Sequence, residues 1–509
     1  MTKKTKVTLG AGAMVLAAIH QVYGQYTPPP PVAPFPGFIN EWLRKDDTAM
    51  TAWDFGGDER GRFEDHEGYG IAGVPGTPPK PNNDFRAEGA DVENSYWMSR
   101  LRFHTGYTNL WWGAYAEGQS SLVSGDKRYA YFASPLPPGE AIRRGGGPES
   151  DEIDLRQAYL TVGNQSEFPL SLKVGRQVLS YGEERLVGAF DWNNIGRTFD
   201  AVKVHWQNEW FGADFFTSHP VIPQDGRFDT DNSDEYFSGV YATTTKIPAS
   251  TLDVYFLARN ASPEALTTVP SPQFPQPSAR DIYTVGGRFK SKPGATGHWD
   301  YAVEGAYQFG DYLDTRAGAP AHRLTQDAFM AVVQGGYTFS NIWAKPRIGA
   351  EFDYGSGDNN PKDGTHRTFD NLYPTNHKFY GSMDFASLQN IQDVGVNLSL
   401  KPHRRLSFTV MGNFLWLADT RDSFYTVTGA PRGTTAGTLG TGYGVNPGYD
   451  NYLGGEITAI GGWAVTKYAQ LEAGYGHFFH GEYITQTWSA AGFGARDADF
   501  AYVQLAVKF

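Results

Sequence analysis

The chain has 509 residues, a net charge of -12 and no cysteine. That excludes a disulfide framework and a thiolate metal site, and it argues against nucleic acid, because neutralising phosphates takes a basic surface. A mean hydropathy of -0.45 is that of a water-soluble protein, yet strands that show lipid only every second residue average out the same way.

At the N-terminus, Lys3, Lys4 and Lys6 precede an apolar run over 7–19, and Val22 and Gly24 offer small cleavage positions before Gln25. Residues 1–24 therefore read as a secretory signal peptide, the run falling short of the ~20 residues a membrane-spanning helix needs. Residues 25–52 form a proline-rich segment expected in the periplasm. Within it, 38–47 predicts a short amphipathic helix that could serve as a plug, a docking segment or a tether. From 53 to 509 no charge block or low-complexity linker divides the chain, which reads as one unit.

Alternating segments of roughly ten residues then recur. They fall at 57–65, 96–105, 111–119, 154–163, 170–179, 200–207, 211–217, 235–245 and 252–259. The series continues at 282–290, 299–309, 327–339, 345–355, 390–401, 405–417, 451–463, 468–479 and 499–509. Connections alternate in length: 208–210, 246–250, 340–344 and 465–467 are brief, whereas 120–153, 356–389 and 418–450 are long. This pattern predicts an all-β fold, a closed antiparallel transmembrane barrel of about 18 strands with short periplasmic turns and long extracellular loops. Closure satisfies every backbone group in hydrocarbon, and a barrel this wide should enclose an aqueous lumen. Trp111, Trp206, Trp210, Trp299, Trp343 and Trp463 all lie beside short turns, as an aromatic girdle at one membrane interface requires.

Strand parity assigns faces. Trp97, Leu101 and Phe103 face lipid, so Arg100, Arg102 and His104 face the lumen. By the same argument Lys203, His205, Asp253, Tyr255, Arg259, Arg288 and Lys290 point inward, with Lys345, Arg347, Glu351 and Asp353 on a later strand. Glu304, Asp393, Lys401, Glu472 and Lys508 follow. A charge turned to mid-membrane lipid would cost ~2–4 kcal/mol. The inward set describes a hydrated channel with mixed charge and a cationic subset, and fixed Arg and Lys along a pore attract anions.

The last strand has Ala501, Val503, Leu505, Val507 and Phe509 on one face, and Phe500, Tyr502, Gln504, Ala506 and Lys508 on the other. A terminal aromatic closing such a strand resembles the C-terminal sorting signal of bacterial outer-membrane barrels. The resemblance implies recognition by the barrel assembly machinery and insertion into the outer membrane of a Gram-negative-type cell.

Residues 173–204 read KVGRQVLSYGEERLVGAFDWNNIGRTFDAVKV. They closely resemble the signature of the alginate-export family of outer-membrane porins, and Arg156–Leu160 is similar to the strand that precedes it there. The resemblance implies an eighteen-stranded outer-membrane barrel, whose best-known member conducts a polyuronate. Arg176, Arg185, Asp191, Arg197 and Asp200 match the motif position by position. Two roles stand open for them: contact with carboxylates of the cargo through the planar Arg fork, or a clamp holding 177–198 against the wall. Parity puts Arg176 on the side of Leu172 and Val174, so it sits at the rim or Gly175 introduces a bulge. The inward charges are nearly balanced, a departure from a strongly arginine-lined polyuronate channel.

No spacing selects a catalytic triad, although His477 and His480 lie near an outer end, and the chain is not expected to be an enzyme. Neither a cofactor nor a metal is called for. Asp229, Asp231 and Asp234 are weak calcium candidates, because they do not complete a calcium-loop pattern. The Gly/Thr-rich stretch 429–448 is an external loop or an inward constriction. Outer-membrane lipid and small or polymeric anionic solutes are the expected partners.

Overall fold

The computed structural model describes residues 35–69, 93–127, 149–164, 167–224, 226–263, 265, 279–314, 322–432 and 445–509. The expected signal peptide lies outside these, as does 433–444 of the Gly/Thr-rich stretch.

Eighteen antiparallel strands make one continuous wall. In chain order they are β1 (Trp53–Glu67), β2 (Glu93–Thr108), β3 (Trp112–Ser124), β4 (Asp151–Val162), β5 (Leu170–Gln177) and β6 (Phe199–Gln207). Next come β7 (Gly212–Ile222), β8 (Glu235–Thr244), β9 (Ser250–Ala261), β10 (Arg280–Ser291), β11 (Trp299–Asp314) and β12 (His322–Thr338). The last six are β13 (Arg347–Gly355), β14 (Ile391–His403), β15 (Leu406–Leu417), β16 (Tyr452–Ala464), β17 (Ala469–His480) and β18 (Ala498–Lys508). Each pairs with its successor. β18 then pairs with β1, from Asp58 opposite Lys508 to Glu67 opposite Asp499, so the cylinder closes without an edge.

Each predicted segment corresponds to one of these strands. The start expected at Lys345 moves to Arg347: Ala344 and Lys345 take φ of 62° and 44°, which ends the turn there. Lys345 is thus an exposed turn residue, not a lumen-facing one. Among the described residues two α-helices flank the wall, α1 (Phe38–Asp46), as expected, and α2 (Glu482–Ala490) between β17 and β18, which periodicity did not signal.

The distribution of side chains is inverted relative to a soluble protein. Trp97, Leu101 and Phe103 are 59%, 38% and 51% exposed on the outside, whereas Arg100, Arg102 and His104 between them are buried. Outward aromatic residues Trp111, Trp210, Trp299, Trp343 and Trp463 are exposed at the end with short connections, joined there by Trp53 and Trp112. Trp206 is half-buried beside Phe211, ring centroids 4.8 Å apart. Strict alternation fails at two points in one early strand pair, one of them between Gln119 and Ser121. The β3–β4 register slips opposite Glu117 and Gly118, and both Arg156 and Gln157 reach Glu117 inside. A bulge re-aims one side chain in this way.

Candidate functional site: the lumen and the segments folded into it

Two connections at the long-connection end, 178–198 and 356–390, turn into the barrel and meet. Gly188 N donates to Tyr373 O (2.8 Å), Tyr373 N to Leu186 O (2.9 Å) and Thr375 N to Glu184 O (2.9 Å), and Val187 and Tyr373 form a parallel bridge. Leu186, Val187, Phe369, Tyr373, Tyr380 and Phe385 bury together in one apolar cluster. The expected aqueous lumen is therefore narrowed: wall side chains are too short to fill it, and folded loop fills part of it.

Besides Glu183, which meets Arg288 (3.4 Å) and Lys290, charge fixes this plug to the wall at three places. The first is Asp191, whose carboxylate meets Arg102 Nη1 (2.8 Å), Arg100 Nη1 (3.2 Å) and Arg156 Nη2 (3.8 Å). Arg60 donates to Asp191 O (2.9 Å) and Arg62 to Trp192 O (2.9 Å), while the Arg62 guanidinium lies 3.9 Å over the Trp192 ring. Burial opposes ionisation of Asp191, but Arg102, Arg100 and Arg156 outweigh it and hold the carboxyl well below the usual range. The second is Arg185, almost fully buried, which pairs with Glu351 and with Asp353 (3.2 Å) of β13 and lies 3.8 Å over Phe379. The third is Asp370, held by Arg259 and Arg280 at 3.0 Å each. There too burial would raise the acid, and the two guanidinium groups keep it depressed. Arg197 braces the plug internally, donating to Pro374 O (2.8 Å) and Gly188 O (3.2 Å), and burial draws it down to about 10.

The inward residues therefore divide. Arg100, Arg102, Arg259, Glu351 and Asp353 hold the plug, and His104 faces Asp54 at 3.3 Å. Lys203 and His205 instead line an open chamber of about 890 Å³ near the short-connection end, with Lys173, Asp214, Tyr181 and Arg288, the last of which also meets Glu183 of the plug. Lys290 and Arg347 stay part-exposed, paired with Glu183 and Asp300. Of the motif residues, Arg185, Asp191 and Arg197 belong to the plug. Arg176 pairs with Asp200 (2.9 Å) on the outward parity at the long-connection rim. Pairing of β5 on both sides runs without a slip, so the rim placement holds and no bulge occurs at Gly175. That glycine has φ +124°, and a Cβ there would fall 2.2 Å from Ala158 O.

Arg60, Arg62, Arg156 and Lys173 were not among the residues that strand parity assigned to the lumen. The alternation Arg60, Arg62, Glu64, His66 carried the signal for the first two; the bulge hid Arg156. The calcium candidates are corrected as well. Asp229 gathers with Asp151 and Asp154, their carboxylate oxygens within 4.8 Å, while Asp231 and Asp234 are exposed apart from that group. Burial, then Asp151 and Asp154, push Asp229 up to about 8. Asp154 also accepts from Asp229 N (2.9 Å) and meets Arg176 (3.5 Å). His477 and His480 pair with Asp499 (2.7 Å) and Asp497.

A sealed cylinder, apolar without and charged within, spanned internally by docked loop, is the architecture of an outer-membrane channel. The sequence matches the family model described as Alginate export over residues 80–492, and the chain belongs to that family. No curated protein matches it. Solved structures share the fold. Acinetobacter baumannii OccAB1 has a TM-score of 0.52 at 10% identity, covering 89% of this chain and 97% of that one. A BenF-like porin from Pseudomonas fluorescens Pf-5 gives 0.51 at 10%, covering 90% and 99%. Pseudomonas aeruginosa OccK8 (OprE) gives 0.50 at 12%, covering 90% and 98%. At these identities the likeness is one of fold alone.

Proposed function

We propose that this channel passes hydrophilic anionic solutes passively, through the chamber at Lys173, Lys203, His205 and Arg288. The short connections face the periplasm and the long ones the exterior; residues 1–24 direct export and the C-terminal strand engages the assembly machinery. One observation carries the choice of anions. Lys173 and Lys203 stand directly opposite each other across β5 and β6, both inward, and like charges so placed cost stability. Asp214 meets Lys203 at 3.0 Å, whereas Lys173 rests 3.6 Å over the Tyr159 ring and makes no ion pair among the described residues. An anion passing between them relieves the repulsion, and the acidic neighbours keep its binding shallow enough for release.

An alginate-like polyuronate is the cargo that family membership suggests. Small-solute uptake is the second reading, favoured by the plug and by how fully the other lumen cations are paired. Reversal potentials across planar bilayers under a salt gradient test the central claim. Anion preference should fall in a Lys173→Gln, Lys203→Gln double variant; cation preference in the parent protein would sink the proposal. Discrete block by uronate oligomers, absent with neutral sugars, selects the polymer over small solutes.

A further inference from the structure

The N-terminal strap ties the barrel's closing seam and then leaves it toward the outside. Phe35 lies on the lumen side, its ring 4.8 Å from His104. Gly37 passes directly beneath the seam, where a Cβ would fall 2.0 Å from Phe509 O, so only glycine fits. Asn40, buried at the start of α1, donates to Asp54 Oδ1 (2.5 Å) and Phe35 O (3.1 Å) and accepts from Phe55 N (2.8 Å). Glu41 pairs with Lys467 and accepts from Tyr468 (2.7 Å). Arg44 reaches the carbonyls of Met50 and Trp53.

These contacts use one side of α1. On the other, Phe38 and Trp42, one turn apart, are 47% and 71% exposed. Phe38 packs 5.8 Å from Tyr468 and 6.4 Å from Phe509, and Phe509 closes the lipid-facing row of β18. The exposed face is thus continuous with the lipid-facing wall and with the belt of Trp53, Tyr107 and Trp112 (centroids 4.9 and 5.1 Å). Lys45 and Lys467 are exposed nearby.

We propose that α1 is an in-plane membrane anchor, its Phe38 and Trp42 seated among the headgroups of the inner leaflet of the outer membrane. An amphipathic helix with aromatic residues on one face lies at such an interface. This anchor would hold the strap across the seam and keep the N-terminal segment beside the pore mouth, not within it. The inference rests on the membrane placement proposed above.

The absence of native cysteine makes a single label unambiguous. Trp42→Cys carrying an environment-sensitive fluorophore, in phospholipid proteoliposomes, should show blue-shifted emission, quenching by lipids spin-labelled near the headgroup, and protection from aqueous iodide. Trp343→Cys, in the girdle, serves as the reference. Lipid contact at 343 with free iodide access at 42 overturns the anchor alone and leaves α1 to the periplasm. Water at both positions overturns the membrane placement itself. If Trp42→Cys fails to fold, Lys45→Cys, one turn on along the same face, gives the same readout.

Discussion

Arg185 is the residue on which the plug depends most. Its guanidinium is almost wholly buried and faces Asp353, which is itself fully buried. Removing one partner of such a pair leaves a charge with no compensation, typically ~3–5 kcal/mol. Arg185→Ala should therefore undock the plug, seen as larger or noisier single-channel conductance and faster proteolysis within 178–198. Arg185→Lys should rescue only part, because an ammonium cannot bond Glu351, Asp353 and Tyr380 through one planar fork. Gly175 answers to backbone geometry instead. Ala at that position meets both a positive φ and the carbonyl of Ala158, so Gly175→Ala should lower yield of folded protein, whereas Gly61→Ala, with open space around it, should not.

The plug as an element is an ionic latch around an apolar core, and its pH response follows from its acids. The carboxyls of Asp191 and Asp370 are both held below the usual pKa in the folded state. Their contribution is present above the unfolded carboxyl value of about 3.9 and is lost as pH falls through the lower folded values. Conductance should thus be unchanged between pH 7 and 5 and rise only under strong acid. Asp191→Asn should give the opened behaviour at neutral pH, with no further acid step from that site. Asp229 behaves with the opposite sign: raised to about 8, it destabilises the rim progressively as pH climbs from about 4 toward that value. Asp229→Asn should flatten that slope in thermal unfolding.

For the whole molecule, wall and plug are separable. The hydrogen-bond ladder closes through β1 and β18 without any plug residue, so variants that release the plug should retain the folded barrel, judged by its heat-sensitive mobility in detergent gels. Coincident loss of both would mean that the plug nucleates the barrel. Charge selectivity should also be weak and salt-dependent. The path mixes Lys173 and Lys203 with Asp214 and Asp253, and the screening length shrinks from ~10 Å at 0.1 M to ~3 Å at 1 M. Reversal potentials should accordingly approach zero in concentrated salt.

Strand number, order and part of the inward set were legible in the sequence because each depends on neighbours two residues apart: in a lipid-clad wall a side chain either faces hydrocarbon or does not. Lys173–Val204 also carried the family signature. The alternation could not tell whether water or protein covers an inward arginine, since both demand the same polar face. Arg100 and Asp191 lie 91 residues apart, Arg185 and Tyr380 195 apart, and no local period records which loop re-enters the cylinder. Only the tertiary path of 178–198 and 356–390 decided that Arg100, Arg102 and Arg259 grip the plug while Lys173 and Lys203 line the open chamber.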